Sequence, residues 1–413
     1  MRLHFKPVSR YLALLAIPAL AGCADGFLDV TNPEVIEAGT VNPVEDAQTF
    51  SLSAQQNFAS AYGWDIMYSA WFIGEAYVTE TFPTRNEFAR RDIATTNSDL
   101  STAWTQMARA LATNERVIGL LGANSATSSS IHLARAYLYS GYSMLMLAEM
   151  FCEGTIPLQD GSVGPRFTSA QMLDSAVTRF TRAIEMDGAG TIGNAARVGR
   201  ARAHLQAGRK AQAASDAAQV PAGFNHNLAY VDDLAQRNRL SNRMWQFTQD
   251  RGSIGVAPAF RVNDPRIRFL APGTHTFTAL ETLDQSEFYV QQKYPTFASP
   301  IRLASKMEAD YIAAEATGTA AMLALIQARR AANDQPAYSG PTDDSSVLTE
   351  LMEQRGREFY LEGKRLGDFR RNPNNVLHVP QPGAYRKGGY GGVGNQTCLP
   401  VPVGETDNNP NFS

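Results

Sequence analysis

Residues 194–221, NAARVGRARAHLQAGRKAQAASDAAQVP, read as one helix, a turn at Gly208 and a second helix that stops at Pro221. Glycine reaches the positive φ that a tight turn needs, and proline lacks the N–H that would continue a helix. Ala201, Ala203, Ala211 and Ala214 put small side chains where the two helices must approach. A helix-turn-helix of about 34 residues with this Ala/Gly placement resembles a tetratricopeptide repeat.

The same helical spacing extends in both directions. Upstream, 169–186 carries Leu173, Val177, Phe180 and Ile184 before Gly188, and 128–151 carries Leu133, Tyr137, Tyr139, Tyr142 and Leu145. In 98–121, Trp104, Met107, Leu111 and Ile118 stay in register up to Gly122. The stretch 47–76 has one stripe of Phe50, Ala54, Ala61 and Tyr68 and another of Trp64 and Trp71, which predicts a helix buried on much of its circumference. A loop is expected at 81–91, which holds Pro83, Arg85, Asn86, Arg90 and Arg91.

Downstream of Pro221 the periodicity fades through 222–301, where proline, glycine and aromatics increase and strand-like runs occur at 244–247 and 288–290. Helices return at 302–317, 320–332 and 345–371, and the tail 372–413 is irregular, with a glycine cluster between Gly383 and Gly394. The helical pieces flank the irregular one without a linker-like stretch. The pattern predicts a mainly α fold: helix pairs forming a scaffold over 47–221 and 302–371, with an inserted loop-rich region containing a few short strands. Residues 47–413 then make a single domain.

The chain has 413 residues, 44% of them hydrophobic, and 37 Lys+Arg against 40 Asp+Glu. That supports a large core and leaves no basic footprint, so no nucleic-acid partner is expected. No apolar run approaches the ~18 residues of a membrane-spanning helix. At the N-terminus, Arg2, Lys6 and Arg10 precede the apolar run 11–20, and Leu20-Ala21-Gly22-Cys23 matches a bacterial lipobox. Residues 1–22 read as a lipoprotein signal peptide, Cys23 as the lipidation site and 23–46 as a lipid-anchored tether. The competing reading is an ordinary signal peptide with Cys23 there by chance. A lipoprotein cysteine carries several acyl chains, which would hold the domain on a membrane without spanning it.

Cys152 and Cys398 remain. An even pair in an exported chain suggests a disulfide, and a loop this long corresponds to about 5 kcal/mol as an upper figure in the chain-entropy model. The alternative is two separately buried thiols.

Catalytic and cofactor signals are sparse. Gly389 to Gly394 formally match GxGxxG, but no strand precedes them and no helix follows, so no dinucleotide site is expected. His132, His204, His226, His275 and His378 show no metal-ligand spacing, and neither a metal nor a cofactor is expected. Glu358 and Glu362 lie one helical turn apart, as a glycosidase pair could. They are interleaved with Arg355, Arg357, Lys364 and Arg365, which points to a solvated or inter-helix ion-pair lattice. Catalytic acids need a raised pKa, and guanidinium neighbours act in the opposite direction. Aromatic residues are plentiful, including Trp64, Tyr68, Trp104, Phe247 and Tyr294, and flat rings suit both core packing and the apolar faces of sugars.

In order along the chain, these features resemble the SusD/RagB-like outer-membrane lipoproteins. The segments that carry the resemblance are Cys23 with its lipobox, FLDVTNP at 27–33, Trp104 with Asn114, Asp264-Pro265-Arg266, and Arg302-Leu303 followed by YIAAEA at 311–316. They continue with EQRGREFYLEGKR at 353–365, DFRR at 368–371, LPVP at 399–402 and NNPNF at 408–412.

The resemblance implies tetratricopeptide-like helix pairs holding a loop-rich ligand face. It also implies a non-enzymatic role at the exterior of the outer membrane. There the protein would capture a nutrient, oligosaccharide ahead of peptide, and deliver it to a SusC-like TonB-dependent transporter. Ligand residues in this family lie in variable loops and do not carry over position by position. By place alone, the candidates are Trp71, Tyr77, Arg85, Asn86, Trp245 and Tyr289. A lipid-anchored adaptor that binds only protein is the alternative, with a glycoside hydrolase using Glu358 or Glu362 ranked below it.

Overall fold

A computed structural model describes residues 42–156, 162–279 and 287–412. Cys23 and the segment 27–33 lie outside the described residues.

Helices run in chain order α1 (Ala47–Phe72), α2 (Pro83–Arg90), α3 (Ser98–Gly122), α4 (Ile131–Met150), α5 (Ser169–Asp187), α6 (Thr191–Gln206) and α7 (Lys210–Ala218). After them come α8 (Arg237–Leu240), α9 (Arg243–Gln249), α10 (Lys306–Thr317), α11 (Thr319–Ala331), α12 (Asp344–Glu358), α13 (Arg365–Arg371) and α14 (Val403–Asn408). Their starts are set locally by caps. The Asn97 side chain accepts from the Asp99 and Leu100 N–H groups, Ser130 from Leu133, and Thr168 forms a reciprocal capping box with Gln171.

Helices α3 to α7 pack each on the next, and α10, α11 and α12 extend the stack from α7, with α1 against α3 and α4. Gly208 turns α6 into α7 at φ +74. The α4, α5 and α6 contact depends on absent side chains: a Cβ on Gly141 or Gly199 would come within 2.7 or 2.5 Å of the Phe180 ring. The expected scaffold of tetratricopeptide-like helix pairs is therefore present.

Ten short strands complete the fold among the described residues. They are β1 (Ala76–Val78), β2 (Glu153–Thr155), β3 (Arg166–Thr168), β4 (Asn225–Leu228), β5 (Ile254–Val256), β6 (Phe269–Leu270), β7 (Val290–Gln291), β8 (Ile301–Ser305), β9 (Gly383–Ala384) and β10 (Gly392–Val393). All named pairs are antiparallel. A four-stranded sheet runs β1-β5-β7-β6, with Tyr77 opposite Gly255 and Gly255 opposite Val290.

Four segments differ from the sequence reading. Residues 83–90 form α2 rather than a loop, because Pro83 sits in the first turn, where its missing N–H costs nothing. The aromatic run 244–247 belongs to α9 rather than a strand, started by Asn242 accepting from the Trp245 N–H. Residues 301–305 form β8 before α10 begins at a Ser305 cap, because Ile301, Arg302 and Leu303 alternate buried and half-buried. The stretch 345–371 is two helices, broken between Phe359 and Lys364 where Leu361 and Gly363 both take positive φ.

That break turns the charged segment inward. Arg355 is 2% exposed and pairs with Asp368 at 2.8 Å, and Arg371 reaches Glu315 at 2.7 Å and Asp368 at 3.0 Å. Lys364 meets Glu308 at 2.9 Å, while Arg202 bridges Glu308 and Glu149. The lattice is inter-helix and buried, not solvated, and it ties α4, α6 and α10 to the α12–α13 region.

The C-terminal tail is a strap over α2. Arg91, left-handed at the end of α2, donates to the carbonyls of Gln396 at 2.8 Å and Pro380 at 2.7 Å, and the Gly394 N–H returns a bond to Arg90. Lys387 reaches the Glu80 carbonyl and Tyr390 the Thr81 carbonyl, each at 2.7 Å. The strap ends beside α4, where Leu399 pairs with Met150 and Cys152 and a disulfide joins Cys152 to Cys398. The GxGxxG stretch lies in this strap and contributes β10, paired with β9.

Candidate ligand-binding cleft

A cleft of about 620 Å³ opens between the end of α1, strand β1 and the strap. Its lining includes Trp71, Tyr77, Pro258, His378, Tyr385 and Arg386. The local chain path explains the hollow. Helix α1 ends at Phe72, and Gly74 at φ +75 turns the backbone into β1. A Cβ on Gly74 would sit 2.9 Å from the His378 carbonyl, so the turn and strap meet backbone to backbone. Strand β1 alternates, burying Ala76 and Val78 and leaving Tyr77 half-buried toward the cleft.

The aromatic rings here carry guanidinium groups. Arg386 lies over Tyr77, with its Cζ 4.1 Å from the ring centroid. Arg261 lies 5.5 Å from the Tyr77 centroid and 3.9 Å from that of Tyr289. Both arginines are also held by backbone: Arg386 donates to the Val78 carbonyl at 2.5 Å and Arg261 to the Val256 carbonyl at 2.9 Å. Trp71 is fully buried at the cleft's inner end, and its indole N–H has no hydrogen-bond partner among the described residues. Among the described residues that line it, none is a carboxylate, and Arg386 is a fixed cation.

Glu75, between the lining residues Gly74 and Ala76, is 1% exposed and turned into the protein. Burial pushes its carboxyl from 4.5 up to about 7, against the opposing pull of the Arg365 guanidinium.

Of the six candidates read from sequence, Trp71 and Tyr77 line the cleft, and Tyr289 joins them through the shared Arg261 and the β1-β5-β7 sheet. The other three are placed in the framework rather than on the cleft's lining. Arg85 is buried, with Nη1 2.6 Å from both Glu80 oxygens and its guanidinium over Phe82 and Phe247. Asn86 is fully buried, donates to the Glu80 and Phe82 carbonyls and accepts from the Tyr385 hydroxyl at 2.8 Å, so it positions a cleft wall without facing a ligand. Trp245 is 7% exposed and packs edge-on against Phe277, because α9 turns it inward.

Arg261, His378, Tyr385 and Arg386 were absent from the sequence candidates. Their available signal was an arginine directly after an aromatic, Phe260-Arg261 and Tyr385-Arg386, next to Gly/Pro-rich sequence.

The carboxylate pair considered for hydrolysis is far from suited to it. Glu362 is bound by Lys293 at 2.7 Å and Arg302 at 2.9 Å, and these cations hold its carboxyl below the ordinary range despite full burial. Glu358 is engaged by Arg329 at 2.8 Å. Among the described residues, no group of His, Cys, Asp and Glu is arranged to hold a metal ion, and no helix is long and apolar enough to cross a membrane.

No protein-family model matches the chain, and no curated protein matches it in sequence. Solved structures do match. A SusD superfamily protein from Parabacteroides distasonis aligns over 90% of this chain and 99% of its own, with a TM-score of 0.66 at 14% identity. A SusD-like carbohydrate-binding protein from Bacteroides vulgatus aligns over 83% of this chain and 85% of its own, with a TM-score of 0.64 at 16% identity. A third, crystallised with a xylogluco-oligosaccharide, covers 88% of this chain and 98% of its own at TM-score 0.63 and 13% identity. The chain has the SusD/RagB-like fold over most of its length.

Proposed function

We propose that this protein captures an oligosaccharide at the outer face of a bacterial outer membrane and delivers it to a SusC-like TonB-dependent transporter. The observation that carries the reading is the cleft of about 620 Å³ between β1 and the strap, set on a fold shared with carbohydrate-binding proteins. The cleft has the size, aromatic content and few polar groups of a small-ligand site. Lipid anchoring is supported by Leu20-Ala21-Gly22-Cys23, and delivery to a transporter by the resemblance of the whole chain.

Affinity electrophoresis and calorimetry against oligosaccharide and peptide panels test the reading. Binding to an oligosaccharide, weakened at least tenfold by Tyr385→Ala, is expected. Peptide binding alone would move the cargo to peptides. Absence of any ligand, with no co-purifying transporter, would return the chain to the adaptor reading. Anchoring is tested separately: Cys23→Ala should move the protein from the membrane to the soluble fraction, and mass spectrometry should find acyl chains on the Cys23 peptide.

A further inference from the structure

We propose that the ligand is an extended oligosaccharide, which runs from the cleft across one face of the β1-β5-β7-β6 sheet into a second hollow, so that the protein favours chains longer than the cleft alone can hold. The proposal rests on the reading of sugar binding and adds the length of the sugar and its second contact.

The second hollow is as large as the first. It encloses about 630 Å³, and its lining includes Arg261, Asn263, Asp264, Arg268, Phe269 and Asp334. A single turn of chain separates the two spaces: Ala257, Pro258 and Ala259 line the cleft, and Arg261 lines the hollow.

A run of rings leads from one to the other. Tyr77 lines the cleft from β1, at one edge of the sheet, and Phe269 lines the hollow from β6, at the other. Between them, Arg261 lies 5.5 Å from the Tyr77 centroid and 3.9 Å from that of Tyr289, whose ring meets Phe269 edge-on at 5.8 Å. Strands β1 and β6 are three strand spacings apart, roughly 14 Å. A ligand that touches both hollows is therefore a chain of sugar rings and not a single sugar. Along that path it meets flat aromatic and guanidinium surfaces, against which apolar sugar faces pack.

The two spaces also differ in chemistry. The cleft offers rings and small apolar side chains, among them Tyr77, Ala257 and Pro258. In the second hollow Asp264 is already bound by Arg266 at 2.7 Å. The Arg268 guanidinium and the Asp334 carboxylate, by contrast, have no hydrogen-bond or ionic partner among the described residues. The first of these groups only donates and the second only accepts. A sugar hydroxyl does both, so hydroxyls along one chain satisfy the two together. Once one end of the chain is held in the cleft, the second contact is made at high effective concentration and adds to affinity without a second association cost.

Calorimetry with neutral ladders of malto-, cello-, xylo- and xylogluco-oligosaccharides, each running from the disaccharide to the octasaccharide, tests the proposal on the purified protein. In the ladder that binds, affinity should climb by about tenfold or more once the chain is long enough to cross the sheet, with one oligomer bound per protein. Arg268→Ala and Asp334→Gly should each remove several-fold of the affinity for the long oligomer and leave the shortest binder unchanged. Glycine is chosen because Asp334 holds φ at +53, and thermal melts would confirm that both variants fold. Tyr385→Ala, in the cleft, should weaken short and long chains alike. Affinity independent of length, or a gain with length that survives both hollow variants, would overturn the proposal while leaving sugar binding in the cleft intact. Two long oligomers per protein would overturn it as well, and so would loss of short-chain binding in the hollow variants. If no oligosaccharide of any length binds, both this proposal and the reading on which it rests fail.

Discussion

Glu75 shows how one residue can set a pH dependence that no contact list would suggest. Its folded-state value near 7 lies above its ordinary 4.5, so the folded protein binds this proton more tightly than the unfolded chain. Stability from this group is full below about pH 4.5 and is lost as pH rises toward 7; with about 1.36 kcal/mol per unit, the loss is roughly 3 kcal/mol at pH 8. Glu315, Glu362 and Asp368 act in the opposite sense, since arginine and lysine partners hold them low, and their contribution is lost as pH falls. Glu75→Gln isolates the first effect. Urea denaturation should find the variant more stable than the parent at pH 8, by up to about 3 kcal/mol, with the gap closing toward pH 5. A gap independent of pH would mean that Glu75 is ionised throughout. Little of this was legible in the sequence. Glu75 is one of many acids, and its burial depends on Gly74 directing the chain inward and on Tyr360 bonding its carbonyl from 285 positions away.

At the scale of elements, the helices were legible because their signals are local. Asn97, Ser130 and Thr168 cap the first turns, and stripes such as Trp104, Met107, Leu111 and Ile118 declare the buried face. Local signals failed where periodicity is too short to decide. The run 244–247 is four positions long with only three of them apolar or aromatic, and the Asn242 cap settled it as a helix. What sequence spacing suggested only faintly was how α4, α5 and α6 meet. Phe180 fills the gap left by Gly141 and Gly199, at distances a Cβ could not tolerate. Gly199→Ala would gain up to about 1 kcal/mol in helix propensity and lose about 1 to 3 kcal/mol to crowding against a buried ring. The net expectation is destabilisation, read as a lower urea midpoint. Adding Phe180→Leu to Gly199→Ala should cost less than the two single effects summed, because the smaller side chain relieves the clash. A Gly199→Ala protein as stable as the parent would remove the close approach as a cause.

For the whole molecule, the organising contacts are those far apart in sequence, which explains why the cleft was the least legible part. Arg91 reaches Gln396 across 305 positions and Lys387 reaches Glu80 across 307, so the strap and the ring-bearing strand β1 become neighbours only in the folded chain. Read alone, the glycine cluster between Gly383 and Gly394 is an irregular tail; in place, it is the cleft's outer wall. The disulfide Cys152–Cys398 fixes the far end of that wall to the end of α4, closing a sequence separation of 246 residues. The chain-entropy model assigns a loop of this size about 5 kcal/mol, an upper figure because an unfolded chain that retains residual structure loses less entropy on cross-linking. The strap's hydrogen bonds also predict where the loss is felt. A Cys152→Ala, Cys398→Ala variant should keep the helical stack and melt at a lower temperature, while hydrogen exchange quickens first across residues 378–399 and ligand affinity weakens with it. Exchange in 378–399 that stays as slow as in the parent would show that the hydrogen bonds from Arg91, Lys387 and Tyr390 hold the wall unaided. The disulfide would then stabilise the chain without shaping its cleft.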